Sequence, residues 1–469
     1  MRIGSSHPIV AGVLVACAGA AAWSVAAERT TESTPQYVTE RLDNGLLVTI
    51  YADPRMPVVS TEVWYHVGAA NEDPDSRGFA HLFEHLMFAG TPTFPRGDYA
   101  RYVTRNGGYR NAYVNWDQTV YVSRIAPQHH RRILEMEADR MVNLALTQDA
   151  LDNEKKIVTE ELRLRLENNP ERRALVAGMA AGLAGHPYAS PPAGTREDIA
   201  RATLDQCRRF YARYYGPPNA HLIVAGPVDP EPLLGDVKAL FGALPARGEK
   251  PEDVPALLDW TFPEEIELTE DIPPAEAAAL AFALPPATAS DTDAVLLMLD
   301  MLRDFGDFED LLVRERRQAL FAQHIVMPGR RGGGVLLATA ALPYRRKETA
   351  FRYIDEALED LASLSWLSEE NLAAAKRKRL LGEWARPYRS GEMAAAIGEA
   401  HWWRGDGRLA LDTRERLEAV TTADVAHAYR RYIADARPVR VYVYPDRVPW
   451  YVAWFGWLYP LASRLGIAP

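Results

Sequence analysis

At 469 residues the chain is too long for one ordinary domain and long enough for two or three. A hydrophobic content of 48% with 25% charged residues fits a globular protein, and a formal net charge of −10 with no long basic tract argues against nucleic acid as the main partner. Only Cys17 and Cys207 are present, so at most one disulfide can form and none frames the fold.

Arg2 is followed by an apolar, Ala-rich run from Pro8 to Ala27, so residues 1–27 read as a targeting segment. Ser24-Val25-Ala26 offers small residues for signal-peptide cleavage. Leu14-Val15-Ala16-Cys17 looks like a bacterial lipobox, which would lipidate Cys17, and an uncleaved anchor is a third option. Each puts the body of the protein outside the bacterial cytoplasm, in the periplasm or at a membrane.

After a short polar linker, Tyr37–Asp53 alternates and turns at Asp43-Asn44-Gly45, a hairpin signal, and Val58–Val67 is a second strand region. The polar stretch Gly68–Arg77 leads into Gly78–Gly90, an apolar helical pattern. Asp98–Asn106 reads as a short helix, Tyr109–Ile125 as strands, and Pro127–Leu146 as an amphipathic helix opened by His129 and His130. Adjacent histidines point to different sides of a helix, so a solvated pair is expected there. Asp149–Asn169 reads as a long helix stopped by Pro170, followed by a loop containing His186-Pro187-Tyr188 and Gly194-Thr195-Arg196. Ala202–Tyr215 is helical and buries Cys207 as a thiol, Ala220–Gly226 is a strand and Pro230–Leu244 a helix.

Residues 246–259, rich in Pro, Gly and charge, read as a linker between domains at 36–245 and 260–446. In the second half, strands are expected at Glu265–Leu268, Ala275–Leu284, Val335–Leu342 and Val439–Tyr444, with helices between. The two halves repeat one order of elements, which suggests an α+β fold of two tandem domains. His66, His221, His324, His401 and His427 occur singly and read as structural. The tail, residues 447–469, carries Trp450, Tyr451, Trp454, Phe455, Trp457 and Tyr459; it suits a membrane interface, a partner surface or packing on its own domain.

The chemistry concentrates in the Gly78–Gly90 helix. His81 and His85 are i and i+4 on one face, so two imidazoles can hold two corners of a tetrahedral zinc site. Glu84 lies close enough to serve an activated water, and the order H-x-x-E-H inverts the H-E-x-x-H zinc-hydrolase motif. Leu82, Phe83, Leu86, Met87 and Phe88 make the helix a buried one, where polar groups without partners would be costly. A third ligand must come from elsewhere. On the Asp149–Asn169 helix, Glu154, Val158 and Glu161 share one stripe, and buried carboxylates there need cations or a metal.

His81-Leu-Phe-Glu84-His85, with Glu161 inside Glu154-x6-Glu161, resembles the pitrilysin/insulinase-type zinc peptidases, the M16 family, to which mitochondrial processing peptidase and bacterial two-chain relatives belong. Asn111-Ala112-Tyr113, Glu137-Ala-Asp-Arg-Met141, His186-Pro-Tyr188 and Gly194-Thr-Arg-Glu-Asp198 are similar to other family landmarks. The resemblance implies two tandem α/β-roll domains of the metallohydrolase type, forming half of a clamshell. It implies a zinc endopeptidase acting on peptides or small unfolded proteins in a closed chamber, with Zn2+ held by His81, His85 and Glu161. Glu84 would be the general base and Glu154 the carboxylate that orients a histidine ligand. Asn111, Ala112 and Tyr113 would hold the substrate as an added β-strand, and Arg314 would face it from the second half. One departure stands out. Active single-chain relatives supply an Arg and a Tyr seven residues apart, whereas here Arg314 is followed by Phe321, which has no hydroxyl for an oxyanion. That points to a second chain completing the site: a metal-lacking paralogue in a heterodimer, or another copy in a homodimer. The competing reading is a non-catalytic assembly or binding subunit that keeps the motif.

Overall fold

Runs of β-branched and aromatic residues with a period of two build the first sheet. The computed structural model describes residues 34–270, 275–327, 331–343 and 347–446. Residues 1–27, read above as a targeting segment with Cys17, and the aromatic tail lie outside the described residues. The strands of the first half are β1 (Gln36–Arg41), β2 (Leu47–Ala52), β3 (Val59–Tyr65), β4 (Tyr109–Val114), β5 (Thr119–Ile125) and β6 (Ala220–Gly226). They join in the order β1-β2-β6-β3-β5-β4, antiparallel throughout except for β2 with β6. β3 and β6 are buried along their whole length, as central strands covered on both faces must be. β4 is an edge, paired only to β5.

One face of this sheet carries the helices of its own half. The H-x-x-E-H residues form α1 (Phe79–Leu86), and the carboxylate stripe lies on α2 (Gln148–Leu162). α2 ends earlier than the sequence pattern suggests, passing through a π-turn at Arg163–Glu167. Pro170 does not then open a loop. It occupies the first turn of α3 (Pro170–Gly182), where its missing N–H costs nothing, and the Asn169 side chain caps the helix by accepting from the Arg172 amide at 2.9 Å.

The second sheet contains β7 (Glu265–Glu270), β8 (Ala275–Leu284), β9 (Phe321–Met327), β10 (Gly334–Pro343) and β11 (Val439–Pro445). Its order, β7-β11-β8-β10-β9, reproduces β2-β6-β3-β5-β4 of the first sheet, including the single parallel pair, here β7 with β11. The tandem α+β architecture is therefore present, and the second half repeats the first without β1. β9, the counterpart of β4, is a strand that the sequence pattern does not announce, because Gln323 and His324 interrupt its apolar alternation.

The halves exchange helices. α4 (Ser390–Arg404), from the second half, covers the free face of the first sheet, packing Met393, Ala394, Ile397 and Trp402 among Trp64, Val122 and Ile223. Its Gly398 leaves room for the Trp64 ring, which a methyl group there would overlap. In return α3 lies on β7 and β11. A Cβ at Gly178 would meet Leu268 at 3.7 Å and Val441 at 3.8 Å, so small residues set this close approach. Beside α3 the second sheet keeps a cavity of about 590 Å³, which Phe321 helps to line.

His129 and His130 do not form a solvated pair. His130 is buried, and its Nε2 lies 2.9 Å from Thr61 Oγ1 on β3, because the His130–Val142 helix presses this face onto the sheet. Burial lowers its pKa to about 4. An unfolded histidine titrates near 6.5, so between about pH 6.5 and 4 the unfolded chain takes up a proton that the folded chain excludes. The stabilisation is complete above that window and is lost as pH falls through it. The stability of the wild type relative to His130→Gln, measured by urea unfolding, should drop by up to about 3 kcal/mol from pH 7 to pH 4. A pH-independent difference contradicts this.

Candidate metal centre

α1 is only eight residues long, too short to be stable by itself, so its placement is imposed by what surrounds it. Leu82, Phe83 and Leu86 are fully buried, and the Phe83 ring stacks on Tyr211 with an interplanar angle of 6°. The Tyr121 hydroxyl on β5 donates to the Phe83 carbonyl at 2.8 Å. This anchoring turns the opposite face, with His81, Glu84 and His85, toward α2. On α2 the buried stripe Leu151, Glu154, Val158 and Leu162 faces α1, and Glu161 flanks it, half-buried.

The three side chains converge. Nitrogen atoms of His81 and His85 and a carboxylate oxygen of Glu161 all lie within 4.8 Å of one another. Glu161 Oε2 is 3.6 Å from His81 Nε2 and 3.3 Å from His85 Nε2. Ligands on a tetrahedral zinc ion at about 2.05 Å are separated by about 3.3 Å along each edge, so the donor set fits zinc in both chemistry and spacing. Among the described residues it is the one such grouping of histidine, cysteine and carboxylate side chains. Behind it, Glu154 Oε2 lies 3.6 Å from His85 Nδ1 and turns the other ring nitrogen toward Glu161.

The electrostatics follow from this crowding. Burial alone would lower the His85 pKa, but the carboxylates of Glu154, Glu161 and Glu84 overcome it and raise the value to about 9. His81, then His85, hold Glu161 well below the usual carboxylate range. Glu154 is also depressed, since hydrogen bonds from His85 and Asn153 and the charge of Arg96 outweigh its burial. Glu84 moves the opposite way: burial raises it, with His81 and His85 only partly offsetting.

Two cations were not anticipated. Arg165 pairs with Glu161 at 2.8 Å, four residues along the same helical pattern, a spacing readable in sequence. Arg96 pairs with Glu154 from a distant loop, which no local pattern announces.

Residues 47–196 match the family model described as insulinase (peptidase family M16), and residues 201–378 match that of the peptidase M16 inactive domain. The chain belongs to the M16 peptidase family. Over 217 residues it is 32% identical to the zinc protease PqqE of Helicobacter pylori, covering 46% of this chain and 49% of that one. The chain matches about half the length of such curated relatives, which are named zinc proteases. The crystal structure of a protease from H. pylori superposes with a TM-score of 0.77 at 24% identity, covering 88% of this chain and 100% of that one. The periplasmic protease PqqL of Escherichia coli gives 0.66 at 19% identity, with 90% of this chain on 50% of that one. Both share the fold, and PqqL is long enough to hold two such units.

In this M16 chain, Asn111, Ala112 and Tyr113 lie on β4, the open edge of the first sheet and a neighbour of α1. Asn111 is exposed, Ala112 packs toward the core beneath α1, and Tyr113 meets Trp64 edge-on on the opposite face. Arg314 does not join the cluster. It pairs with Asp310 one turn away at 2.5 Å, and its side chain is 69% exposed. Phe321 stands 47% exposed at the start of β9. If Glu154 holds the His85 ring, Glu154→Gln should weaken zinc binding by about 10- to 100-fold in chelator competition. Unaltered affinity would remove Glu154 from the centre.

Proposed function

We propose that the protein is a zinc endopeptidase that cleaves extended peptides or small unfolded proteins. The observation that carries this reading is the convergence of His81, His85 and Glu161 beside the open edge strand β4. His81 and His85 would hold the metal through Nε2 and Glu161 through a carboxylate oxygen, with Glu154 fixing His85. Zinc, when bound, supplies Lewis acidity toward water and a peptide carbonyl. Glu84 accepts the proton of the attacking water at its carboxylate and passes it to the leaving amine. A substrate in extended form adds to β4 through backbone hydrogen bonds at Asn111–Tyr113, which reads shape more than sequence.

Arg314, with Phe321 in place of a phenol, leaves the carbonyl side of the site incomplete in this chain. We therefore infer that a second chain closes the chamber and supplies the missing donor, in a heterodimer with a metal-lacking relative or in a homodimer. The Ala-rich N-terminal run supports a location outside the cytoplasm, and the structural neighbour PqqL is described as periplasmic. No described helix is long and apolar enough to cross a membrane. Phe321 also favours a second reading, a binding or assembly subunit that keeps its metal.

Glu84→Gln separates the two. The variant should keep stoichiometric zinc while cleavage of an unstructured peptide library, assayed with the partner chain present, falls at least about 100-fold. Zinc bound by the wild type without cleavage under any pairing would sink the peptidase reading.

A further inference from the structure

We propose that Glu72 is a positioning residue that fixes the metal-bearing helix α1 in register with the edge strand β4; the proposal rests on the zinc-centre reading above. The first turn of any helix leaves amide groups without partners. Here the residue before the helix is Gly78, in the left-handed region at φ 80°, with no side chain to cap them. Glu72 does so from six residues upstream. Its Oε2 accepts from the Gly78 amide at 2.7 Å and its Oε1 from the Ala80 amide at 2.8 Å. Ala80 immediately precedes the ligand His81. Both carboxylate oxygens are committed to these amides, whose hydrogen bonds oppose the burial that raises this group's pKa.

The segment that carries Glu72 is tied in turn to the substrate strand. The Ala69 amide donates to the Asn115 carbonyl at 3.1 Å and the Ala70 amide to the Trp116 carbonyl at 2.8 Å, both in the turn joining β4 to β5. Gly68 lies so close to this turn that a Cβ would overlap the backbone of Asn115 and Trp116. Asn71 fastens the middle: its side chain accepts from the Gly68 amide at 3.0 Å, and its carbonyl accepts from the Tyr214 hydroxyl at 2.9 Å. A continuous path of hydrogen bonds thus runs from the end of β4 through residues 68–72 to the residue beside His81. Glu72 touches neither ligand nor substrate strand, so it acts through the helix. Because α1 has just two turns, a small rotation at its start carries to His81, Glu84 and His85 together.

The test uses the full-length protein, with zinc as the probe, and compares wild type, Glu72→Gln and Glu72→Ala. Gln keeps one acceptor oxygen and nearly the same shape, so it folds even if Ala does not. Positioning predicts a zinc dissociation constant about tenfold higher in E72Q by chelator competition. It also predicts kcat reduced in step, KM within about twofold, and only a small fall in the melting temperature of the metal-free protein, since one of the two amides keeps its acceptor. A simple stability cap predicts the reverse, a lower metal-free melting temperature with zinc affinity and kcat intact, and that result overturns the proposal. A wild type that binds no zinc overturns the zinc-centre reading and this one with it. Normal zinc binding by both wild type and E72Q overturns this one alone.

Discussion

Two imidazoles on an eight-residue helix make a site only if a carboxylate from another element meets them, and the contact between α1 and α2 supplies that meeting. Glu161 Oε2 sits within 3.6 Å of both Nε2 atoms. Without a cation the arrangement places a carboxylate deprotonated well below its usual range against a histidine held protonated. Removing one partner would strand the other in a partly buried place. The helix itself contributes little to its own stability. Its apolar face, the Tyr121 hydroxyl and the Glu72 carboxylate hold it, so the geometry of the centre belongs to the sheet and the loops as much as to the motif.

The duplicated sheets support the centre from behind through helices exchanged between the halves. α4 crosses from the second half to seal the face of the first sheet opposite α1, and α3 crosses the other way. Strands β3 and β6, at the middle of the sheet, are consequently buried along their whole length. The exchange is uneven. α4 brings Met393, Ile397 and Trp402, whereas α3 brings Leu175 and Met179 with Gly178 and Gly182 between and beyond them, and a cavity remains beside α3 on the second sheet. Phe321 lies on that less filled side, in the strand that repeats β4.

Much of this was legible in the sequence because it is local. The H-x-x-E-H spacing puts two imidazoles and a carboxylate on one face of a helix, and Glu154-x6-Glu161 puts two carboxylates on one stripe. The strand-helix order of the halves anticipates two like sheets. What escaped depends on tertiary placement. Pro170 reads as a stop, but its ring is equally at home in the first turn of a new helix. His130 reads as solvated beside His129 until the sheet beneath it is seen. Arg96 and Glu72 act on residues that no periodicity connects to them. The exchange of α3 and α4 leaves only a trace in sequence, the small residues at Gly178, Gly182 and Gly398.

The zinc-peptidase function proposed above requires a metal held where His81, His85 and Glu161 meet. Crystals of the zinc-loaded protein, measured on either side of the zinc absorption edge, test this most directly. One strong anomalous peak per chain is expected, bounded by His81 Nε2, His85 Nε2 and a Glu161 carboxylate oxygen, with Glu84 beside it. A peak elsewhere, or none at that position in fully loaded protein, would contradict it.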